Sequence, residues 1–478
     1  MPQHLFSADG IRGLVDQHPL TPQGMERFGR SVAAWLRAQS HNRLPCLLGT
    51  DTRESSQRLK MALADGLTRG GIPVIDVGIL PTPAISYLLA NKGFFAAGIM
   101  VSASHNAVEE NGIKVFDSRG IKLTDASERQ IEEFLVNESR LPFEIRPAVL
   151  SHEPAYSEFY ARMLASEYRD VLWGEIRIVV DLANGAAYRT GQLVLDQLKI
   201  PYQLLNATPD GTNINLAAGS EEIRRNPGRL ASLVAEYDAV AGISLDGDAD
   251  RMLLVDRQGR LYDGDMALAI LAPHLQKADK LRHNTTIATQ MSNSGLKHYL
   301  AAHGIQTQLV RNGDKYITAA LLDQDLTLGG EEIGHIILHS DAQRVTGDGL
   351  RTALRILSIL ASERGAELND LAPGMRKWPQ IRVSVYLGYR TDLQATSIPG
   401  LNALLAQVQS EIPDLARPIE CRPASTEPAY RIMIEARMTP PYLLARGARR
   451  LAEHIQKYLG CQGWPVDVLS TPDPISKR

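Results

Sequence analysis

Short apolar runs alternate with helix-length amphipathic stretches along most of this chain. "LPCLLGTD" predicts a strand, and "SQRLKMALADGLTRGG" a helix stopped by its glycines. "IPVIDVG" predicts the next strand, "PTPAISYLLANKG" a helix with proline near its start, and "AAGIMVS" a covered strand. A polar stretch from about Arg119 to Tyr156 predicts no element. The rhythm then restarts with the strands "EIRIVVDLANG", "YQLLNAT" and "AVAGISLDGD", separated by the helices "YRTGQLVLDQLK" and "RLASLVAEY". It restarts again after Gly264, through "DMALAILAPHLQK", "TTIATQMS", "GLKHYLAAHG", "TQLVRNG" and "YITAALLDQ", to "LTLGGEEIGHIIL" and the long helix "GDGLRTALRILSILASER".

Strands alternating with helices imply helix-covered, mostly parallel sheets. The expected fold is α/β: three similar, mixed but mostly parallel domains, then a smaller α+β C-terminal domain, arranged around a central cleft. The expected boundaries are 1–152, 153–256, 257–374 and 375–478, with "LAPGMRKWPQ" as the last junction. Beyond it "IRVSVYL", "LNALLAQVQSEI", "YRIMIEA" and "PYLLARGARRLAEHIQKYLG" mix strands and helices in a different order.

The 478 residues suffice for several cores, and 44% hydrophobic content is ordinary for globular domains. A net charge of −3 gives no electrostatic basis for nucleic acid or an anionic membrane as partner. Cys46, Cys421 and Cys461 make neither a disulfide framework nor a CxxC metal pair, which fits a reducing compartment. There is no signal-like N-terminus and no apolar run of membrane-spanning length, so a cytoplasmic protein is expected.

Candidate chemistry lies where strands leave their sheets, which is where parallel α/β proteins bind ligands. In "GIMVSASHNAVEENGIKVF", Ser104 is a phosphate ligand, a nucleophile or only a turn residue. "SLDGDADR" sets Asp246, Asp248 and Asp250 two residues apart, a repulsive cluster unless a cation or protons neutralise it. An EF-hand fails, because Arg251 and Arg257 stand where the glycine and the bidentate acid belong. Oxygen ligands alone favour Mg2+ over zinc. A phosphoryl group on Ser104 would supply a further ligand. In "GGEEIGHIIL", Glu331 reads as an acceptor for sugar hydroxyls and His335 as a proton carrier, or each as only a structural or solvated residue. "CRPASTEPAYR" gathers Arg422, Ser425, Thr426 and Arg431 as a phosphate cradle or a polar turn. Asp9 with Arg12, and Asp51 with Arg53, read either as site residues or as local turn ion pairs.

Taken in order, these four loops resemble the α-D-phosphohexomutase superfamily, and the resemblance spans nearly the whole chain. "FSADGIRG", "DLANGAAY", "PDGTNIN", "MSNSGL" and "RNGDKYI" are most similar to its bacterial phosphoglucosamine mutase branch. The resemblance implies an isomerase acting on a small phosphosugar, as a monomer or homodimer. Its reaction interconverts hexosamine 6-phosphate and 1-phosphate, with glucosamine or glucose 1,6-bisphosphate as intermediate and activator. It implies that Ser104 is phosphorylated and that Asp246, Asp248 and Asp250 hold Mg2+ with the Ser104 phosphate. It places Lys114, His335, Arg12 and Arg251 around the transferring group. Glu331 and His105 contact substrate, and Arg422, Ser425, Thr426 and Arg431 grip the phosphate that is not reacting.

Five places depart from the family pattern: Ser7-Ala8, Ala107, Ala249, Ile333 and Ala424-Ser425-Thr426. Ala107 and Ala249 are expected to matter little. Ile333 replaces a hydroxyl in the sugar loop, which points to an altered sugar preference. The rival readings are a phosphoglucomutase or phosphomannomutase, a serine phosphatase, and a catalytically silent phosphosugar-binding relative.

Overall fold

The computed structural model describes residues 5–7, 9–39, 44–137, 150–153, 155–339, 345–363, 365–387, 389, 391, 393–424 and 429–461, and the backbone of 466–470. The chain forms two compact units: Met1–Ser292 with His303–Pro373, and Asn293–Ala302 with Gly374–Arg478.

The first unit contains three sheets. In the first the strands run Ile11–Leu14, Glu110–Asp117, Ala97–Val101, Cys46–Thr50, Val74–Ile79, Leu150–His152. The second runs Leu261–Tyr262, Met252–Val255, Ala241–Leu245, Ile178–Asp181, Tyr202–Leu205. The third runs Gln306–Val310, Thr285–Thr289, Leu328–Gly330, Ile336–Leu338. Central strands such as Cys46–Thr50 and Ala241–Leu245 are buried along their whole length, as their continuous apolar sequences require. Helices Pro22–Ala38, Glu54–Arg69 and Gly264–Lys277 cover them; Thr21 and Asp263 cap two of these by accepting the N–H groups of Gly24 and Met266.

One device recurs in all three sheets. A strand leaves the sheet, turns through a polar loop and returns antiparallel beside itself. Ala97–Val101 returns as Glu110–Asp117, Ala241–Leu245 as Met252–Val255, and Leu328–Gly330 as Ile336–Leu338. The three turns carry Ser104, the three aspartates and Glu331.

The second unit is a four-stranded antiparallel sheet, in the order Glu420–Pro423, Ala429–Glu435, Gln380–Tyr386, Val466–Ser470. Helices Leu401–Ser410 and Pro441–Leu459 accompany it. This is the α+β arrangement expected from sequence.

The polar stretch after Arg119 differs from expectation. It contains helix Asp125–Val136, capped by Thr124 and burying only Ile131 and Leu135. Two buried positions in twelve residues are too few to show as an apolar stripe. No helix among the described residues is long and apolar enough to cross a membrane.

Candidate active site

Ser104 is fully buried and has a left-handed backbone (φ +55°). Its hydroxyl donates to Asp246 Oδ2 at 2.5 Å. The serine and the acidic turn, 142 residues apart in sequence, therefore meet. Gly247 makes this approach possible: a Cβ there would lie 2.4 Å from the Ser104 carbonyl oxygen. Asp246, Asp248 and Asp250 each offer an oxygen within 4.8 Å of the others, and all three are buried.

The surroundings shift the protonation of Asp246 and Asp250 in opposite directions. Burial, then the charges of Asp250 and Asp248, push Asp246 well above the usual carboxylate range. Burial acts on Asp250 in the same sense, but Lys114 and His335 outweigh it and hold its carboxyl well below that range. Lys114 Nζ lies 2.7 Å from Asp248 Oδ2 and 2.7 Å from Asp250 Oδ2. Thr82 also donates to Asp248 Oδ2. The other oxygens, Asp248 Oδ1 and Asp250 Oδ1, are buried without a hydrogen-bond partner. Orphaned carboxylate oxygens beside a serine hydroxyl, with no nitrogen or sulfur donor among the three, fit a hard divalent cation.

His335 closes the other side. Its Nδ1 is 3.7 Å from Asp250 Oδ1, and the Gly347 N–H donates to its Nε2 at 3.1 Å. That bond places the proton of the neutral ring on Nδ1, facing Asp250. Burial favours the neutral ring, but Asp250, Asp314 and Glu331 outweigh it and raise the pKa. A second proton, on Nε2, would displace the Gly347 bond. Glycine is required at 347, since a Cβ there would sit 2.4 Å from Nε2.

Arg251 Nη1 donates to His105 Nδ1 at 2.8 Å, and its backbone N–H to Asp246 Oδ1 at 3.1 Å. Burial and the charges of Arg251 and Arg12 push the His105 pKa well down, so the ring is the neutral acceptor that Arg251 needs. Arg12 donates to Asn106 Oδ1 at 2.9 Å and pairs with Asp9. Glu331 is partly buried and accepts the Gly313 N–H at 3.0 Å through Oε1. Ile333 is likewise partly buried, two residues from His335.

Three further residues belong to this cluster: Asp9, which the sequence leaves open as a site residue or as half of a local ion pair, and Lys122 and Asp314, which it does not single out. Lys122 pairs with Asp9 and with Asp314 Oδ2 (2.5 Å), while Asp9 Oδ1 is 3.8 Å from Lys114 Nζ. Asp314 Oδ2 is 3.6 Å from His335 Nε2. A closed circuit results, Asp250–Lys114–Asp9–Lys122–Asp314–His335, drawing on all three sheets. "FSADGIRG" and "RNGDKYI" were visible as motifs, but neither contains a signal that its charge meets the other's.

In the second unit, Arg422 and Arg431 are directly paired on adjacent strands. Arg422 bonds Glu420 and Arg431 bonds Ser384 Oγ. Ser425 and Thr426 lie outside the described residues.

Residues 3–141, 156–259 and 263–377 match, in order, alpha/beta/alpha domains I, II and III of the phosphoglucomutase/phosphomannomutase family. A phosphoglucosamine mutase of Moorella thermoacetica is 38% identical over 438 residues, covering 90% of this chain and 95% of that protein. One from Bdellovibrio bacteriovorus is 35% identical over 467 residues, covering 95% of this chain and 98% of its own. Among solved structures, a phosphoglucomutase/phosphomannomutase family protein of Burkholderia thailandensis superposes with a TM-score of 0.76 at 22% identity, covering 98% of this chain and 99% of its own. An Aspergillus fumigatus N-acetylphosphoglucosamine mutase, solved with GlcNAc-6P and magnesium, gives 0.61 at 19% identity, covering 79% of this chain and 92% of its own.

Proposed function

The chain belongs to the α-D-phosphohexomutase superfamily, and on that premise we propose that it interconverts glucosamine 6-phosphate and glucosamine 1-phosphate through a phosphorylated Ser104. The single observation that carries this reading is the contact between the Ser104 hydroxyl and the acidic turn. The names of the relatives, phosphoglucosamine mutases at 35–38% identity, support the amino sugar as substrate.

Asp246, Asp248 and Asp250, with the phosphate on Ser104, are the residues to hold Mg2+. When bound there it neutralises charge on the phosphoryl oxygens. The remaining work falls to the chain. In the first half-reaction a free sugar hydroxyl forms a bond to the Ser104 phosphorus as the Oγ–P bond breaks, giving the 1,6-bisphosphate. In the second, the bisphosphate turns end for end and returns its other phosphoryl group to Ser104 Oγ. Lys114, kept cationic by Asp248 and Asp250, and Arg251 and Arg12 stabilise negative charge during transfer. Glu331 accepts sugar hydroxyls, and His335 exchanges the proton of the attacking hydroxyl. Arg422, Ser425, Thr426 and Arg431 grip the distal phosphate. We place this chemistry in the cytoplasm, where the free thiols Cys46, Cys421 and Cys461 stay reduced.

Ile333 favours one second reading, a preference for glucose or mannose phosphates, because it takes a hydroxyl out of the sugar loop. Purified enzyme pre-charged with glucose 1,6-bisphosphate and given glucosamine, glucose and mannose 6-phosphates separates the two. The reading predicts the highest kcat/KM for glucosamine 6-phosphate. Turnover confined to the neutral sugars selects the second, and release of inorganic phosphate without isomer defeats both.

A further inference from the structure

We propose that Asn215 and Arg53 are positioning residues that fix the Ser104 turn from two different domains; this rests on the phosphoserine reading. The Arg53 side chain is fully buried and paired with Asp51 at 2.9 Å. Its guanidinium donates to four carbonyl oxygens of one loop: Ser104 (3.1 Å), Asn106 (2.8 Å), Glu110 (3.0 Å) and Ala107. Asp51 Oδ2 also accepts the Ser102 hydroxyl at 2.7 Å, and Ser102 Oγ accepts the Ser104 N–H at 2.9 Å. The turn is thus held through both its carbonyls and its amide.

Asn215 comes from the "PDGTNIN" loop of the second sheet's domain. Its Nδ2 donates to the Ser104 carbonyl at 2.8 Å and the Asn106 carbonyl at 3.0 Å, the two oxygens that Arg53 Nη2 also holds. Each carbonyl has two lone pairs, so the two donors complement each other. Two acceptors on one side fix the amide with Nδ2 towards the loop. Asn215 has φ +58°, a conformation asparagine tolerates, and its own N–H is tied to the Ala183 carbonyl at 2.9 Å. A Cβ on Gly247 would stand 3.0 Å from Asn215 Nδ2, so the acidic turn packs against the same amide.

Ser104 occupies a left-handed conformation that a serine leaves unless it is held. Its phosphoryl group would add about two negative charges beside three carboxylates. A free turn would recoil. With both carbonyls tied back, Ser104 Oγ stays on the acidic turn through both half-reactions. Neither residue touches the transferring group, and their effect is exerted through the Ser104 backbone.

The test compares wild type, Ser104→Ala, Asn215→Gly and Asn215→Asp. Glycine keeps the left-handed backbone without the amide, and aspartate keeps the shape but replaces the donor. Each protein is incubated with glucose 1,6-bisphosphate, weighed intact, and assayed on whichever hexose 6-phosphate the wild type turns over fastest. Wild type should gain one phosphoryl group that Ser104→Ala does not; without it the phosphoserine reading falls, and this proposal with it. With wild type charged, both Asn215 variants should lose roughly tenfold to a hundredfold in kcat per phosphorylated molecule, as for a misplaced reacting group. KM should stay within about twofold, because substrate binding is untouched. Wild-type kcat in charged Asn215→Gly and Asn215→Asp overturns the proposal alone. So does a rise in KM at constant kcat, or a lowered unfolding temperature with normal kcat.

Discussion

Asp314 Oδ2 stands 3.6 Å from His335 Nε2 and 2.5 Å from Lys122 Nζ, which makes it the joint between the third domain's histidine and the first domain's lysine. Burial penalises the Lys122 charge, yet Asp314 and Asp9 outweigh that and raise its pKa. Burial alone would likewise raise Asp9, but Lys114, Lys122 and Arg12 hold it well below the carboxylate range. Asp9, Lys114 and Lys122 are therefore held in their charged forms, and the three domains meet through this ring.

Asp314→Asn breaks this joint and leaves the Lys122 charge with one partner fewer. It should cost about 3 kcal/mol of unfolding free energy, the low end for a broken buried pair. The double variant Asp314→Leu, Lys122→Met should cost less than the sum of its single changes, since both partners leave together. Urea unfolding of wild type, Asp314→Asn, Asp314→Leu, Lys122→Met and the double variant reads both the cost and the coupling; strict additivity would show that the pair is not coupled.

Lys114→Met leaves Asp248 and Asp250 facing each other without their cation. In chelator, the variant should unfold at a lower temperature than wild type, by a destabilisation of about 3 kcal/mol or more. Added Mg2+ should recover more of that loss in the variant than it adds to wild type, because a ligand that binds only the folded state stabilises it. Thermal unfolding with and without Mg2+ measures this. Equal Mg2+ shifts in the two proteins would count against Lys114 as the counter-charge of the triad.

Ala249 has φ +59° inside the acidic turn and is almost fully buried. Its Cβ carries the steric cost of left-handed backbone, so it matters more than its small size suggests. Ala249→Gly should stabilise the fold by about 0.5–1 kcal/mol, the left-handed penalty less glycine's extra entropy. Denaturant midpoints of the two proteins decide it, and a lower midpoint for the variant would contradict the account.

Asp181 is buried at the end of strand Ile178–Asp181, and its carboxyl accepts from Asn206, Ser244 and the N–H groups of Ala183 and Gly219. Burial nonetheless raises its pKa. A carboxyl with a raised folded pKa lends stability that is fully present below the unfolded value of about 3.9 and is lost as pH rises through the folded value. Asp181→Asn removes that dependence. The stability difference, wild type minus variant, should fall as pH is raised from about 4 through the folded pKa. Unfolding free energies across that window test it, and a flat difference would contradict it.

Much of this was legible in the residues. Continuous apolar runs such as "CLLGT" and "AGISL" became covered strands, and the loops carrying Ser104, the three aspartates and Glu331 each follow a buried strand. The DxDxD spacing announced the carboxylate cluster because like charges at that density need a counter-ion. What stayed hidden was long-range. Only the family resemblance points to Lys114: "NGIKVF" is part of strand Glu110–Asp117, and a charge at a covered strand position has no local signature. Asp51 and Arg53 read equally as an exposed pair, whereas the Arg53 side chain is buried because four carbonyls converge on it. Asp9, Lys122 and Asp314 are single charges in distant segments, and only the packing of three sheets joins them.

The most direct test of the central claim is the phosphorylation state of Ser104 during turnover. Intact-protein and peptide mass spectrometry of wild type and Ser104→Ala, after incubation with glucose 1,6-bisphosphate and Mg2+, reads it. The account predicts one phosphoryl group on the peptide containing Ser104, removed when the 6-phosphate substrate is added as bisphosphate appears, and neither label nor isomerisation in Ser104→Ala. Isomerisation by Ser104→Ala at the wild-type rate, or a phosphoryl group carried on another residue, would contradict it.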